Sequence, residues 1–273
     1  MIKNSRIIKN LVIINIKKEF KSYKWILFIL IFFIINLISK ISLYKISLST
    51  TDNYFTWWDV LYNIIQNQYY LFYLFIPIMI YMIFKTVNSD INSVYIIRHL
   101  NRRNFYISKL LSSIIITFVF ILLIILTSLI GSFGISFSPV WSETSKYIFS
   151  NNVIDMFNTP VLPIFISVIL IILTCVFLEN LILLSSLFIK RKFVCIPTVS
   201  IWVGSLVGFR ISGYGNLYEY SLMNTNVLLH QSLSISKYGI FISLLILIMS
   251  NLILTFVSLK RLNSFDFACE VEL

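Results

Sequence analysis

Six apolar runs, each long enough to form a helix that crosses lipid, alternate along this chain with polar stretches; they lie at about 25–43, 68–86, 105–131, 161–189, 193–211 and 238–259. Crossing about 30 Å of hydrocarbon takes about 20 helical residues at about 1.5 Å each. Lipid offers no partner to a backbone amide, so the helix, which satisfies its own, is the form such runs take. The pattern predicts an all-α membrane protein with six transmembrane helices. None of the intervening stretches is long enough to bury a core of its own, so residues 1–273 read as a single membrane domain.

The polar positions orient the helices, because lysine and arginine are retained on the cytoplasmic side. Lys3, Arg6, Lys9, Lys17, Lys18, Lys21 and Lys24 precede the first run, and Lys85, Arg98, Arg102, Arg103 and Lys109 separate the second from the third. Lys190, Arg191, Lys192, Lys260 and Arg261 fall on the same side, which leaves only Lys40, Lys45, Lys146, Arg210 and Lys237 of the 22 basic residues on the other. Six spans then put both termini in the cytoplasm. The opposite loops are rich in aromatics, among them Trp57, Trp58, Tyr69, Trp141, Tyr214, Tyr218 and Tyr220, as expected of an interfacial belt.

Composition agrees: 58% of residues are hydrophobic and 12% charged, about half the charged share of a soluble domain. The formal charge of +11 would raise the question of nucleic acid in a soluble protein. Here topology accounts for it, and no nucleic-acid partner is expected. Cys175, Cys195 and Cys269 are far apart, without a CxxC pair, and read as reduced thiols. No small-x-small cleavage site follows the first run, so it is expected to stay in the mature chain. Heavy use of Ile, Asn and Lys points to an AT-rich bacterial genome and a bacterial cytoplasmic membrane.

Three features are candidates for function. Between Arg6 and Lys24, a helix would set Ile8, Val12, Ile16, Phe20 and Tyr23 along one face and Arg6, Lys17, Lys21 and Lys24 on another. Asn15 and Glu19 interrupt the apolar stripe, and Ile13 and Ile14 fall on or beside the polar side. Such a segment either lies in the headgroup layer against anionic lipid or simply anchors topology. In the loop from Lys85 to Lys109, Ser89 or Asp90 is placed to cap a short helix bearing Ile91, Val94, Tyr95 and Arg98, ended by Asn101 before Arg102 and Arg103. That helix would be a rigid knob for a cytoplasmic engine; the alternative is a loop that only holds topology. Glu179, 11 residues before Lys190 or about 16 Å along a helix, is placed near mid-membrane. An intramembrane carboxylate faces a partner helix or a wet path, so Glu179 is expected either to join Asn180 in an inter-helix contact or to line a path. Arg210 is expected near the outer interface, its side chain snorkelling.

Hydrolytic chemistry finds no footing. His99 and His230 fall on opposite sides, no HExxH or GxSxG motif occurs, and no metal site is expected. Pro77, Pro163 and Pro197 should kink helices or start them. The segment 211–238 reads equally as a loop or as short helices dipping into the interface.

The stretch RHLNRRNFYISKLLSS, with Arg98, Arg102, Arg103, Phe105, Tyr106 and Lys109 before a long third run, resembles the permease subunits of ABC-2 transporters. So do the basic N-terminal helix, the large outside loop after the first span, and the ending SLKRLNSFDF with Lys260, Arg261 and Asp266. The nearest kind is the small bacterial permease of peptide export or self-protection. The resemblance implies that Asp90, Ile91, Tyr95, Arg98, Arg102 and Arg103 form the element that couples to an ATP-binding cassette subunit. It also implies that a second permease copy, or a related permease, completes the path. This chain has no GxxxxGK[ST] loop, so ATP and Mg would sit on the partner, and this chain would hold no cofactor and be no enzyme. Two other readings stay open: a stand-alone immunity or scaffold protein, and an ion-driven secondary transporter, for which more than one intramembrane ionisable group is expected.

Overall fold

The computed structural model describes residues 2–49, 54–91, 102–210 and 222–264. Among these, five helices are long and apolar enough to cross a membrane. In chain order the elements are α1 (Ile2–Phe20), α2 (Lys24–Ser47), α3 (Trp57–Gln66), the turn α4 (Gln68–Tyr70), a π-helical turn (Leu71–Phe75) and α5 (Ile76–Ile91). There follow α6 (Arg102–Gly131), α7 (Glu143–Ile148), α8 (Asn151–Met156), α9 (Val161–Ser185), α10 (Ile196–Arg210), α11 (Leu222–Val227), α12 (Leu229–Ile235) and α13 (Gly239–Ser264). The five long helices are α2, the continuous rod from α4 into α5, α6, α9 and α13.

The fifth expected span differs from the rest. Among the described residues its helix, α10, has 15 residues, or about 22 Å. Pro197 is its second residue, where a proline starts a helix without losing a hydrogen bond, and a 3₁₀ turn at Arg191–Phe193 precedes it. The parity of the chain rests on this helix.

Elsewhere the prolines explain local structure. Pro163 lies in the first turn of α9. Pro77 follows the π-helical turn, and five residues before it stands Phe72, whose carbonyl in a π-register would seek the N–H that Pro77 lacks. Trp202 of α10 supplies that donor, its Nε1 reaching the Phe72 carbonyl at 2.8 Å. The irregular turn is thereby tied to the short helix.

The centre of the bundle is aromatic. Phe28 and Phe32 of α2 meet Phe120 of α6 edge to face, with centroids 6.1 and 4.9 Å apart, and Phe75 packs on Phe32 at 5.6 Å. Further along the same pair, Asn36 Nδ2 donates to Thr127 Oγ1 at 3.2 Å. The helices are so close at their ends that a Cβ on Gly131 would lie 3.1 Å from that of Asn36. Lys40 then reaches the carbonyls of Gly131 and Phe133, at 3.4 and 3.3 Å, at the C-terminal end of α6. Satisfying those carbonyls at the negative end of a helix dipole gives a lysine on the lysine-poor side a structural use.

At the aromatic end, short helices make a folded cap. Thr56 and Asp59 form a capping box at the start of α3: Asp59 N donates to Thr56 Oγ1 at 3.3 Å, and Thr56 N donates to Asp59 Oδ2 at 2.7 Å. Tyr62 is wedged between Trp141 and Phe149, and Trp141 donates to the Phe157 carbonyl at 2.7 Å. Trp57 and Trp141 are therefore buried in the cap and are not part of an interfacial belt, whereas Tyr69 is exposed. Within 222–238 the structure settles for two short helices, α11 and α12, with the Leu229 amide donating to Gln66 Oε1 at 2.7 Å. Gly239 opens α13 against Ser232 of α12, where a Cβ would overlap the Ser232 carbonyl.

Candidate functional site

The polar side chains of the bundle gather at its basic end, where α5, α6, α9 and α13 meet. Lys109 stands two turns into α6 and is 2% exposed, and Glu179 on α9 is likewise 2% exposed. A lysine this deep needs acceptors, since burying an ammonium without them costs several kcal/mol. Lys109 Nζ donates to the Thr86 carbonyl on α5 at 3.1 Å and lies 5.6 Å from the centre of the Phe105 ring. It also stands within electrostatic reach of Glu179, towards which the Ser113 hydroxyl of α6 is directed. One oxygen of Glu179, Oε2, has no hydrogen-bond partner.

Beside this pair runs a chain of hydrogen bonds that joins three helices. Tyr106 Oη donates to Asn180 Oδ1 at 2.9 Å, and Thr255 Oγ1 approaches the same oxygen at 3.3 Å. Asn180 Nδ2 donates to Asn251 Oδ1 at 2.9 Å, and Asn251 Nδ2 in turn reaches the carbonyls of Leu173 and Leu247 at 3.0 and 2.8 Å. Asn180 therefore makes the inter-helix contact that its position in a span leads one to expect. Glu179 sits six residues from the end of α9 at Ser185, about 9 Å, because that helix stops there instead of continuing to 189. It is thus nearer the basic end than a span reaching 189 would place it.

The expected coupling residues distribute around the gap between α5 and α6. Asp90 and Ile91 lie in the last described turn of α5, and Arg102 and Arg103 in the first described turn of α6, with Arg103 exposed. Ser89 and Asp90 do not cap a separate helix: the sequence from Lys85 to Asp90 holds no glycine or proline, and α5 runs through it to Ile91. Tyr95 and Arg98, with His99, lie outside the described residues. At the far end, His230 Nε2 lies 3.1 Å from Gln68 Nε2, and burial lowers the imidazole from its usual range.

Sequence reasoning found Glu179 and Asn180 but missed Lys109 as their companion. Lys109 reads as one more cytoplasmic charge, and only the 30-residue length of α6, starting at Arg102, draws it into the bundle. Asn15 and Glu19, which interrupt the apolar stripe of α1, also have partners. They sit on the face of α1 that packs on the protein: Asn15 Nδ2 donates to Ser112 Oγ of α6 at 3.1 Å, while Glu19 is buried and paired with Lys24.

A small apolar cavity lies deeper, between Phe75, Ile76, Met79, Phe120, Ile124 and Cys175, and offers no charged group to a ligand. The geometry thus joins four helices through buried polar groups at one end and closes the other with a cap. No protein-family model, no curated protein and no solved structure matches the chain. By its own helices it is a multi-pass, all-α membrane protein of a build consistent with a transporter or permease.

Proposed function

We propose that this chain is the membrane-spanning permease subunit of an ATP-driven exporter, of the ABC-2 kind that its sequence resembles. In this reading it crosses the bacterial cytoplasmic membrane six times with both ends and its basic end in the cytoplasm. A separate ATP-binding cassette subunit, carrying ATP and Mg, docks on the segment from Asp90 to Arg103. A second copy or a related permease supplies the other half of the path.

The observation that supports this reading is the tie directly beneath the docking segment. Lys109 of α6 holds the Thr86 carbonyl of α5, so the two helices that flank the segment are joined at their feet. The same residue stands within electrostatic reach of Glu179 on α9, and Tyr106 one turn earlier binds Asn180, which continues to Asn251 on α13. A displacement imposed between Ile91 and Arg102 would thus reach four helices through buried contacts, which resist independent sliding.

Co-purification in mild detergent tests the proposal. The full chain should bring down an ATP-binding subunit, and the variant Arg98→Ala, Arg102→Ala, Arg103→Ala should lose most of it while inserting normally. A lone chain that works without ATP, or a triple variant that keeps its partner, would refute the assignment.

One observation favours a second reading, an ion-driven carrier: Lys109 and Glu179 are two buried ionisable groups where the sequence presents one. Proteoliposomes separate the two. Transport driven by an imposed proton gradient without nucleotide, and abolished in Glu179→Gln, would support the carrier.

A further inference from the structure

The packing of α1 divides its surface into two faces of different chemistry. At about 100° per residue, Ile8, Val12, Asn15 and Glu19 fall within one arc. Val12 and Glu19 are buried there, and Asn15 is bonded to Ser112. This arc is occupied by α6.

The opposite arc is exposed. Arg6 and Lys17 lie about 20° apart at its centre, and Lys21, in the turn that follows with its amide donating to the Lys17 carbonyl, is exposed with them. They are flanked by Ile13 and Phe20 on one side and Ile14 on the other, and these three are 39, 40 and 56% exposed. Lys9 and Lys18 stand at the edges, also exposed. The charge on this face is of one sign, because Glu19, the helix's single acidic residue, is turned inward and paired with Lys24. Isoleucines that spoil a simple amphipathic pattern in the sequence therefore have a place: they border a cationic stripe.

The location fixes what such a face meets. A turn of three residues joins α1 to α2, a helix apolar enough to span the membrane, so Lys17, Lys18 and Lys21 stand next to where lipid begins. Exposed apolar side chains beside cations suit a bilayer surface: the isoleucines and Phe20 enter the acyl boundary while the charged heads meet phosphates. From this we infer that the outer face of α1 is a docking surface for anionic phospholipid headgroups. The inference does not rest on the assignment as an exporter.

The test uses the full chain, purified in mild detergent, with native mass spectrometry reading the apparent affinity for phosphatidylglycerol and for phosphatidylcholine. Each cation near an anionic surface is worth about fivefold in affinity. The wild type should prefer phosphatidylglycerol by that factor or more, and added salt should shrink the preference. Arg6→Gln, Lys17→Gln, Lys21→Gln together should bring it to the phosphatidylcholine level, whereas Arg6→Lys, Lys17→Arg, Lys21→Arg should retain it. Helicity measured alongside shows that each variant is folded. Equal affinities in the wild type, or a preference that survives the glutamine variant, would overturn the inference. So would a glutamine variant that loses a co-purifying acidic protein while its lipid preference is unchanged, since the face would then dock protein.

Discussion

Replacing Lys109 by methionine is the most direct probe of the buried cluster. The substitution keeps the unbranched stem that packs on Phe105 and removes the charge. It deletes the charged hydrogen bond to the Thr86 carbonyl, worth about 1.5–3 kcal/mol. It also removes the charge that stands within electrostatic reach of Glu179, a smaller loss because the two side chains do not form a direct ion pair. The hydrogen bond dominates, so the single variant should lose about 1.5–3 kcal/mol. Glu179→Gln should lose no more, about 1–3 kcal/mol, because the amide retains a hydrogen-bonding side chain of the same size beside Ser113. The double variant should be more stable than the sum of the two losses implies, by at least about 1 kcal/mol, since neither charge is then left alone. Unfolding in mixed micelles of increasing SDS content, followed by tryptophan fluorescence, gives all four corners of the cycle. Additive losses within about 0.5 kcal/mol would refute the electrostatic pairing and reduce Lys109 to a strap between α5 and α6.

Two further outcomes follow from the same contacts. Asn180→Leu should destabilise the bundle by about 1–3 kcal/mol in the same SDS titration, because it removes the acceptor of the Tyr106 hydroxyl and leaves Asn251 Oδ1 without its donor; a neutral effect would mean that these hydrogen bonds are replaced by others. In the cap, burial raises the Asp59 carboxyl above its ordinary range, with hydrogen bonds from Ser145, Thr56 and Ser142 opposing. The folded form therefore binds the proton more tightly than the unfolded form. Above the raised value the charged carboxylate weakens the cap, and stability rises as pH falls through that value towards about 4. Asp59→Asn should flatten this dependence while Asp59→Ala, which lacks the capping box, loses about 0.5–2 kcal/mol, as thermal unfolding across the acid range would show.

Much of the bundle is legible in the sequence, for a reason specific to lipid: a helix must be long and apolar to cross it, and both properties are local. What is not local differs residue by residue. α10 begins at Ile196 and not at 193, because Pro197 starts it and a 3₁₀ turn takes up the residues before it. Trp57 and Trp141 looked like membrane-interface residues, a role that side-chain type allows, but the short helices between the spans fold over them. Asn15 and Glu19 looked like blemishes in an apolar face, because a pattern that counts only hydrophobicity cannot represent a hydrogen bond to Ser112 or a pairing with Lys24.

The long apolar runs alone dictate that the chain is helical and crosses a membrane repeatedly. They also leave Glu179 and Asn180 as polar groups in an apolar run, each needing a partner. Which partners they have was decided only by tertiary structure. Lys109 is 70 positions before Glu179, and Asn251 is 71 after Asn180. Periodicity places a residue on a face of its own helix, but it holds no information about which neighbouring helix that face meets or at what height. Those are set by how five long helices and one short one pack side by side.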